Sequence, residues 1–242
     1  MEQVKLKYHG GGCWQILYKD TQLLIDPGHY YYDGLKARTA RNLTNINIIC
    51  LTHMDFDHCN TLKFIPYYSE QIIIGLPEFK AKLPNKGLQP LVREMNPLKG
   101  PLLVSTPRQT PELILINHSQ TMEIKNIKIK ALKIFHGVRK WFPHTGYLIT
   151  LGDLSIAHLG DGIKLEQEIK PDCLLINIGG IESNVTNAFK LVKKLSPSIV
   201  FPMHWTACPL FYKRPYKFKK IIETELNNIK VIIPDKKEIY NL

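Results

Sequence analysis

Four potential metal ligands lie close together in the sequence, at His53, Asp55, Asp57 and His58. They follow the apolar run 46–51, where a buried strand can end and a loop can aim side chains into a shared pocket. Imidazole nitrogen and carboxylate oxygen suit Zn, Mn or Fe, and two carboxylates carry enough negative charge for two divalent cations. The alternative is a solvent-facing polar loop, since short motifs also match by chance.

Three further residues of the same types occur later in the chain: His136, Asp161 and His204. Each lies just beyond an apolar run with the composition of a strand, as the first group does. A site assembled at one edge of a sheet sandwich requires this repeated placement. The sequence therefore predicts that all seven residues meet at such an edge.

The elements that must position these residues are mostly short strands. The predicted strands span 4–8, 14–18, 22–25, 46–51, 72–74, 113–116, 127–134, 147–151, 155–158, 174–178, 199–203 and 231–233. The predicted helices span 61–67, 163–169, 184–195 and 215–227. Because many strands are joined by short turns, we expect an α+β fold of two mixed sheets with helices on their outer faces.

The chain shows no linker or composition break, so we expect a single domain over residues 1–242. Six of the 16 prolines fall between residues 84 and 111. Proline cannot continue a strand ladder or a helix, which predicts a surface excursion that lies over a site or mediates a contact.

The order and spacing of the candidate ligands resemble the metallo-β-lactamase fold superfamily across essentially the whole chain. The usual first motif of that superfamily, His-x-His-x-Asp-His, corresponds to residues 53–58, and its later lone His, Asp and His correspond to His136, Asp161 and His204. The segments 8–13, 160–161, 177–180 and 202–205 are similar to the branch of metal-dependent hydrolases that includes ascorbate 6-phosphate lactonase.

The resemblance implies an αβ/βα four-layer sandwich with one or two divalent metal ions at its open edge. It implies a first metal held by His53, Asp55 and His136. It implies a second metal held by Asp57, His58 and His204, with Asp161 bridging the two.

Asp55 departs from the superfamily pattern, which usually has histidine there. A carboxylate in place of imidazole makes the first site harder and more anionic, which favours Mn or Fe relative to Zn. The identity of the metal, and whether one site or two are filled, stays open at this point.

A metal-activated water would make a serine or cysteine nucleophile unnecessary. Asp57 is then a candidate to orient that water, and His204 a candidate to assist proton transfer. We expect a small anionic substrate, either a lactone or a phosphoester. A non-catalytic metal-binding scaffold is the alternative that Asp55 keeps open.

The substrate needs contacts besides the metal. Arg139, Lys140 and His144 follow His136 closely and are candidates for a phosphate or carboxylate clamp, although charged loop residues are more often simply solvated. His9, beside the run Gly10–Gly12, is a candidate substrate contact or a packed turn residue.

Composition limits the remaining possibilities. The formal net charge is +11, and segment 211–220 interleaves basic and aromatic residues, so a nuclease or cyclic-nucleotide phosphodiesterase of the same fold is the alternative enzyme. We favour a solvated lysine face for that segment.

The five scattered cysteines indicate a reducing compartment, and no apolar run approaches the roughly 18 residues of a membrane span. We therefore expect a cytoplasmic protein without membrane contact, and a homo-oligomer remains open.

Overall fold

The computed structural model describes residues 3–30, 33–68, 70–84, 91–94, 111–137, 142–206 and 208–242. Its strands are β1 Lys5–Gly10, β2 Cys13–Tyr18, β3 Thr21–Ile25, β4 His29–Tyr30, β5 Asp33–Gly34, β6 Ile48–Cys50, β7 Ile72–Gly75, β8 Leu91–Glu94, β9 Glu112–Leu115, β10 Thr121–Ile124, β11 Ile127–Phe135, β12 Thr145–Leu151, β13 Leu154–His158, β14 Lys164–Leu165, β15 Cys173–Asn177, β16 Ile199–Met203, β17 Lys230–Val231 and β18 Ile239–Asn241. Its α-helices are α1 Ala37–Arg41, α2 Phe56–Cys59, α3 Val185–Leu195 and α4 Arg214–Glu225.

Two mixed sheets form the centre of the protein. The first has the strand order β18-β1-β2-β3-β6-β7-β9-β8, and the second β10-β11-β12-β13-β15-β16-β17 with β14 paired to β11. Hairpin-linked antiparallel strands begin each sheet, and parallel strands continue it. This arrangement confirms the predicted mixed sheets.

Three hydrophobic clusters show that the layers are stacked as predicted. The central cluster joins the inner faces of both sheets, with Trp14 of the first sheet in edge contact with Phe201 of the second at 5.3 Å between ring centroids. A second cluster packs α3 and α4 on the outer face of the second sheet, and a third packs α1 and α2 outside the first. The four-layer αβ/βα sandwich is confirmed.

Helix α3 illustrates why the sequence folds this way locally. Asn184 caps its start by accepting hydrogen bonds from the N–H groups of Thr186 and Asn187, both at 3.1 Å. Its apolar residues recur at helical spacing and are buried, and Ser196 ends the helix in the left-handed conformation at φ 47°.

Two helix predictions were wrong. Residues 163–169 do not form a helix, because the N–H groups of Ile163 and Glu166 bond to the carbonyls of Phe135 and Lys133 and build the short strand β14 instead. The spacing of Leu165 and Ile169 imitates a helix. Residues 61–67 contain only one 3-10 turn, Leu62–Phe64.

Most of the proline-rich segment 84–111 lies outside the described residues, but β8 inside it pairs in parallel with β9 at the edge of the first sheet. No α-helix among the described residues is long and apolar enough to cross a membrane.

Candidate metal centre

The candidate ligands leave the sheets at one edge because of strand register. Ile25 of β3 pairs in parallel with Cys50 of β6, so the residues after both strands emerge side by side. In the second sheet β13, β15 and β16 are also parallel neighbours. The carboxyl ends of parallel strands meet at the same edge of a sheet, the usual place for a binding site in such sheets. Asp161 follows β13, and His204 follows β16.

Asp57, His58 and His204 form one compact group, whose three ligand atoms all lie within 4.8 Å of one another. Nε2 of His58 lies 3.2 Å from Nε2 of His204, which lies 3.2 Å from Oδ2 of Asp57. Two imidazole nitrogens on one tetrahedral zinc are separated by about 3.3 Å, given Zn–N bonds of about 2.05 Å. His204 has φ 67°, a backbone strain for a non-glycine residue that is often found at functional sites.

His53, Asp55 and His136 form a second group, whose ligand atoms also lie within 4.8 Å of one another. Nε2 of His53 is 3.8 Å from Oδ2 of Asp55. That nitrogen is buried and has no hydrogen-bond partner among the described residues. A buried polar atom without a partner is costly, so this geometry fits a cation between the three side chains.

Asp161 lies between the two groups. Its Oδ1 is 3.4 Å from Nε2 of His58, and its Oδ2 is 3.5 Å from Nε2 of His136. The same two oxygens also face His204 and His53, at 4.0 and 3.9 Å respectively. One carboxylate therefore presents a different oxygen to each histidine pair, the arrangement needed to bridge two cations.

Asp26 supports both groups and was missed by the sequence analysis. It is fully buried and accepts hydrogen bonds from Nδ1 of His58 at 2.9 Å and from the Thr52 hydroxyl at 2.6 Å. The Thr52 oxygen in turn lies 2.9 Å from Nδ1 of His53. With both Nδ1 atoms occupied, the Nε2 atoms of His53 and His58 are left to bind a cation.

Asn177 and Ser183 hold Asp161 in place. The Asn177 amide donates to Oδ1 of Asp161 at 2.5 Å, and the Ser183 hydroxyl donates to the Asp161 carbonyl at 2.8 Å. The sequence motif 177–180 marked this region, but no signal in the chain indicated which side chain would reach Asp161.

Charges within the centre compensate one another. Burial alone would raise the pKa of Asp57, but His58 and His204 outweigh it and hold that pKa at about 2. Asp161 has a pKa well below its usual range, because several histidines likewise outweigh the effect of burial. Burial would lower the pKa of His58, yet Asp161 and Asp26 outweigh burial and raise it. Asp57 and Asp161 are therefore ionised at neutral pH, the form that binds cations.

His144 lies inside this cluster. It is only 3% exposed, its ring centroid is 4.8 Å from that of His53, and its Nε2 accepts a hydrogen bond from the N–H of Asp161 at 3.1 Å. Burial lowers the pKa of His144 to about 3, so the ring is neutral. Its position suits a residue that orients Asp161.

The structure does not bring His9 into the cluster. His9 is buried on β1, where Nε2 lies 3.0 Å from Oε1 of Gln15. Arg139 and Lys140, the other two predicted substrate contacts, lie outside the described residues.

A stacked pair of mixed sheets with outer helices, carrying a histidine and aspartate cluster at their shared edge, defines the class of metal-dependent hydrolases with the metallo-β-lactamase fold. The pattern of the beta-lactamase superfamily domain matches residues 5–204, and the chain belongs to that superfamily. It is a metal-dependent hydrolase of this superfamily.

Individual relatives agree with this family. The chain is 27% identical to a UPF0173 metal-dependent hydrolase of Thermoplasma acidophilum, over 97% of each chain. The solved structure of Igni18, a metallo hydrolase of Ignicoccus hospitalis, is similar with a TM-score of 0.73 at 19% identity, covering 99% of this chain and 98% of that one. An isothiocyanate hydrolase from Delia radicum gut bacteria is similar with a TM-score of 0.70 at 15% identity, over 98% of each chain. These two structures support the fold alone.

Proposed function

We propose that the protein hydrolyses a small anionic lactone or phosphoester at a centre of two divalent cations. The observation that carries this proposal is the position of Asp161, whose two oxygens face different histidine pairs. His53, Asp55 and His136 would hold the first cation, and Asp57, His58 and His204 the second. When bound, such cations lower the pKa of coordinated water and polarise the bond that is cleaved.

The chain's own residues would position the water and move its proton. The Asp57 side chain is partly exposed and remains ionised, so its carboxylate is available to accept a hydrogen bond that orients the water. Nε2 of His204 lies 3.2 Å from Oδ2 of Asp57 and would hold the second cation, so only Nδ1 of this ring would be left to carry a proton for the leaving group. Asn177 keeps Asp161 from rotating away as charge develops.

Asp55 bears on which cations are bound. With a carboxylate at position 55, the first cation would be surrounded by two carboxylates and two imidazoles. These belong to Asp55, Asp161, His53 and His136. Harder cations such as Mn or Fe prefer this oxygen-rich set more than Zn does. We therefore propose Mn or Fe in the first position, with Zn as the alternative.

A panel of lactones, phosphomonoesters and phosphodiesters tests the proposed reaction with protein loaded with Mn, Fe or Zn. We expect turnover of an anionic member, and a loss of at least 100-fold in kcat/KM in Asp161→Asn. Asp153→Asn, which changes an exposed carboxylate in the turn between β12 and β13, is the matched control. Equal turnover in Asp161→Asn and the control would contradict the proposed centre.

A nuclease or cyclic-nucleotide phosphodiesterase is the second candidate. Tyr212 and Tyr216 are 43% and 66% exposed, and Lys213 and Lys217 beside them are exposed too. However, Phe218 of the same segment is fully buried in the core and is unable to stack on a base. A steep fall of oligonucleotide affinity with rising salt would favour the nuclease, and no binding at low salt would exclude it.

A further inference from the structure

A cavity of about 250 Å3 lies beside β1, and none of the candidate metal ligands lines it. Three lysines reach it from distant parts of the chain: Lys7 of β1, Lys36 directly before α1, and Lys236 between β17 and β18. Thr39 also lines it, and none of the described lining residues is acidic. Positive charge is therefore concentrated at a small concave site.

This charge is only partly balanced. Nζ of Lys236 lies 3.2 Å from Oδ1 of Asp33, a buried carboxylate that also accepts the N–H of Gly11 at 2.7 Å. Within the described part of the chain, no carboxylate forms an ion pair with Lys7 or Lys36. Lys236 is therefore paired with Asp33, whereas Lys7 and Lys36 give the cavity an excess of positive charge.

The state of His9, which also lines the cavity, agrees with this excess. Burial, and then the charges of Lys7 and Lys236, lower the pKa of His9 to about 4, although its bond to Gln15 opposes them. His9 is therefore neutral at physiological pH. The positive charge that would attract an anion to this cavity comes from the lysines.

Two glycines bring the wall of this cavity close to the candidate metal centre. A Cβ atom on Gly34, a lining residue, would lie 2.2 Å from the carbonyl oxygen of Gly28. A Cβ atom on Gly28 would in turn lie 2.0 Å from the carbonyl oxygen of Asp57. These glycines let the lining segment pack closely against the metal-binding loop, so the cavity lies near the centre although none of the candidate ligands lines it.

We propose that the lysine cavity binds a small anion, a carboxylate or a phosphate monoester. Ammonium and hydroxyl groups from Lys7, Lys36, Lys236 and Thr39 would pair with its oxygens. The volume is below the usual range of about 300–1,000 Å3 for drug-sized ligands, which suits a small anion. The anion is either the charged end of a substrate or a separate effector, and the two share this chemistry.

Titration of the 15N-labelled protein, loaded with diamagnetic Zn, with inorganic phosphate and followed by NMR tests the site. We expect the amide signals of Gly34, Leu35 and Thr39 to shift, with binding at least tenfold weaker in Lys7→Met/Lys36→Met. The matched control, Lys213→Met/Lys217→Met, removes two exposed charges from the region where α4 begins and should bind like the wild type. Shifts confined to amides near His58, or equal affinity in the two double variants, would overturn the proposal.

Kinetics distinguish the two sources of the anion. Phosphate that raises KM for an anionic substrate, but not for a neutral one, supports a substrate subsite. Phosphate that changes kcat for both supports an effector site, provided that Lys7→Met/Lys36→Met abolishes the change. If neither the kinetic effect of phosphate nor its binding changes in Lys7→Met/Lys36→Met, the substrate subsite and the effector site are both excluded. Because NMR reports binding without turnover, failure of the proposed hydrolysis would remain distinguishable from failure of this site.

Discussion

Oδ2 of Asp26 lies 2.9 Å from Nδ1 of His58, and both side chains are fully buried. Nδ1 of His58 donates its hydrogen bond to this carboxylate, so Nε2 is the ring nitrogen that faces the candidate centre. The two residues are 32 positions apart and meet because β3 and β6 end side by side. Asp26 thus orients the ring of His58, which is the predicted metal ligand.

We predict that Asp26→Asn weakens cation binding by about 10–100-fold, the usual cost of losing a residue that orients a ligand. The dissociation constant measured by competition with a chromophoric chelator checks this value. Asp20→Asn, in the exposed turn between β2 and β3, is the control and should leave the constant unchanged. An unchanged constant in Asp26→Asn would show that His58 needs no such partner.

His144→Ala separates an orienting role from substrate contact. Because Nε2 of His144 accepts the N–H of Asp161, we expect its loss to weaken cation binding and to lower kcat by about tenfold, with KM nearly unchanged. Steady-state kinetics with saturating metal, together with metal titration, measure both effects. A raised KM with unchanged kcat and metal affinity would support the substrate contact expected from the sequence.

Asp55→His should shift metal preference towards Zn, because imidazole is a softer ligand than carboxylate. Loading apoprotein with equimolar Mn and Zn, followed by mass spectrometry, gives the ratio bound at equilibrium. Asp153→His, which adds an exposed histidine far along the chain, controls for nonspecific zinc binding. If the ratio is the same in both variants, Asp55 does not contact the metal.

His9 should make stability depend on pH. Its pKa in the folded protein is about 4, against about 6.5 when unfolded, so the unfolded state takes up a proton first as pH falls. Stability is therefore fully present above about pH 6.5 and is lost down to about pH 4, by about 3 kcal/mol at 1.36 kcal/mol per pKa unit.

Urea unfolding between pH 7 and pH 4 measures this loss in the wild type and in His9→Gln. The variant lacks the titrating ring, so the difference in free energy of unfolding between the two proteins should narrow as pH falls. His118→Gln, at a half-buried histidine in the loop after β9, is the control. A difference that stays constant with pH would refute the low pKa of His9.

The sequence predicted where strands end better than it predicted the structure of the segments that connect them. Apolar runs in the sequence mark β6, β13 and β16, and the candidate ligands His53, Asp161 and His204 come just after these strands. Their meeting at one edge could be predicted because the ends of parallel strands lie side by side. Residues 163–169 were misjudged because pairing with β11 overrides a local helical spacing. Long-range pairing of this kind leaves no local signal.

The partners of the ligands were equally hidden. Asp26 and Asn177 reach the centre only through strand register and turn geometry, and neither lies in a histidine-rich motif. Whether the seven candidate ligands bind metal stays a prediction, which the structure supports by bringing them into two groups around Asp161.

The central claim is most directly tested by the metal content of protein purified without a histidine tag or added metal, measured by mass spectrometry beside His58→Ala. We predict about two equivalents of Mn, Fe or Zn per chain, with about one lost in the variant. Asp153→Ala, in the exposed turn between β12 and β13, is the control and should retain both. No bound metal in the wild type, even after reconstitution, would contradict the proposed binuclear centre.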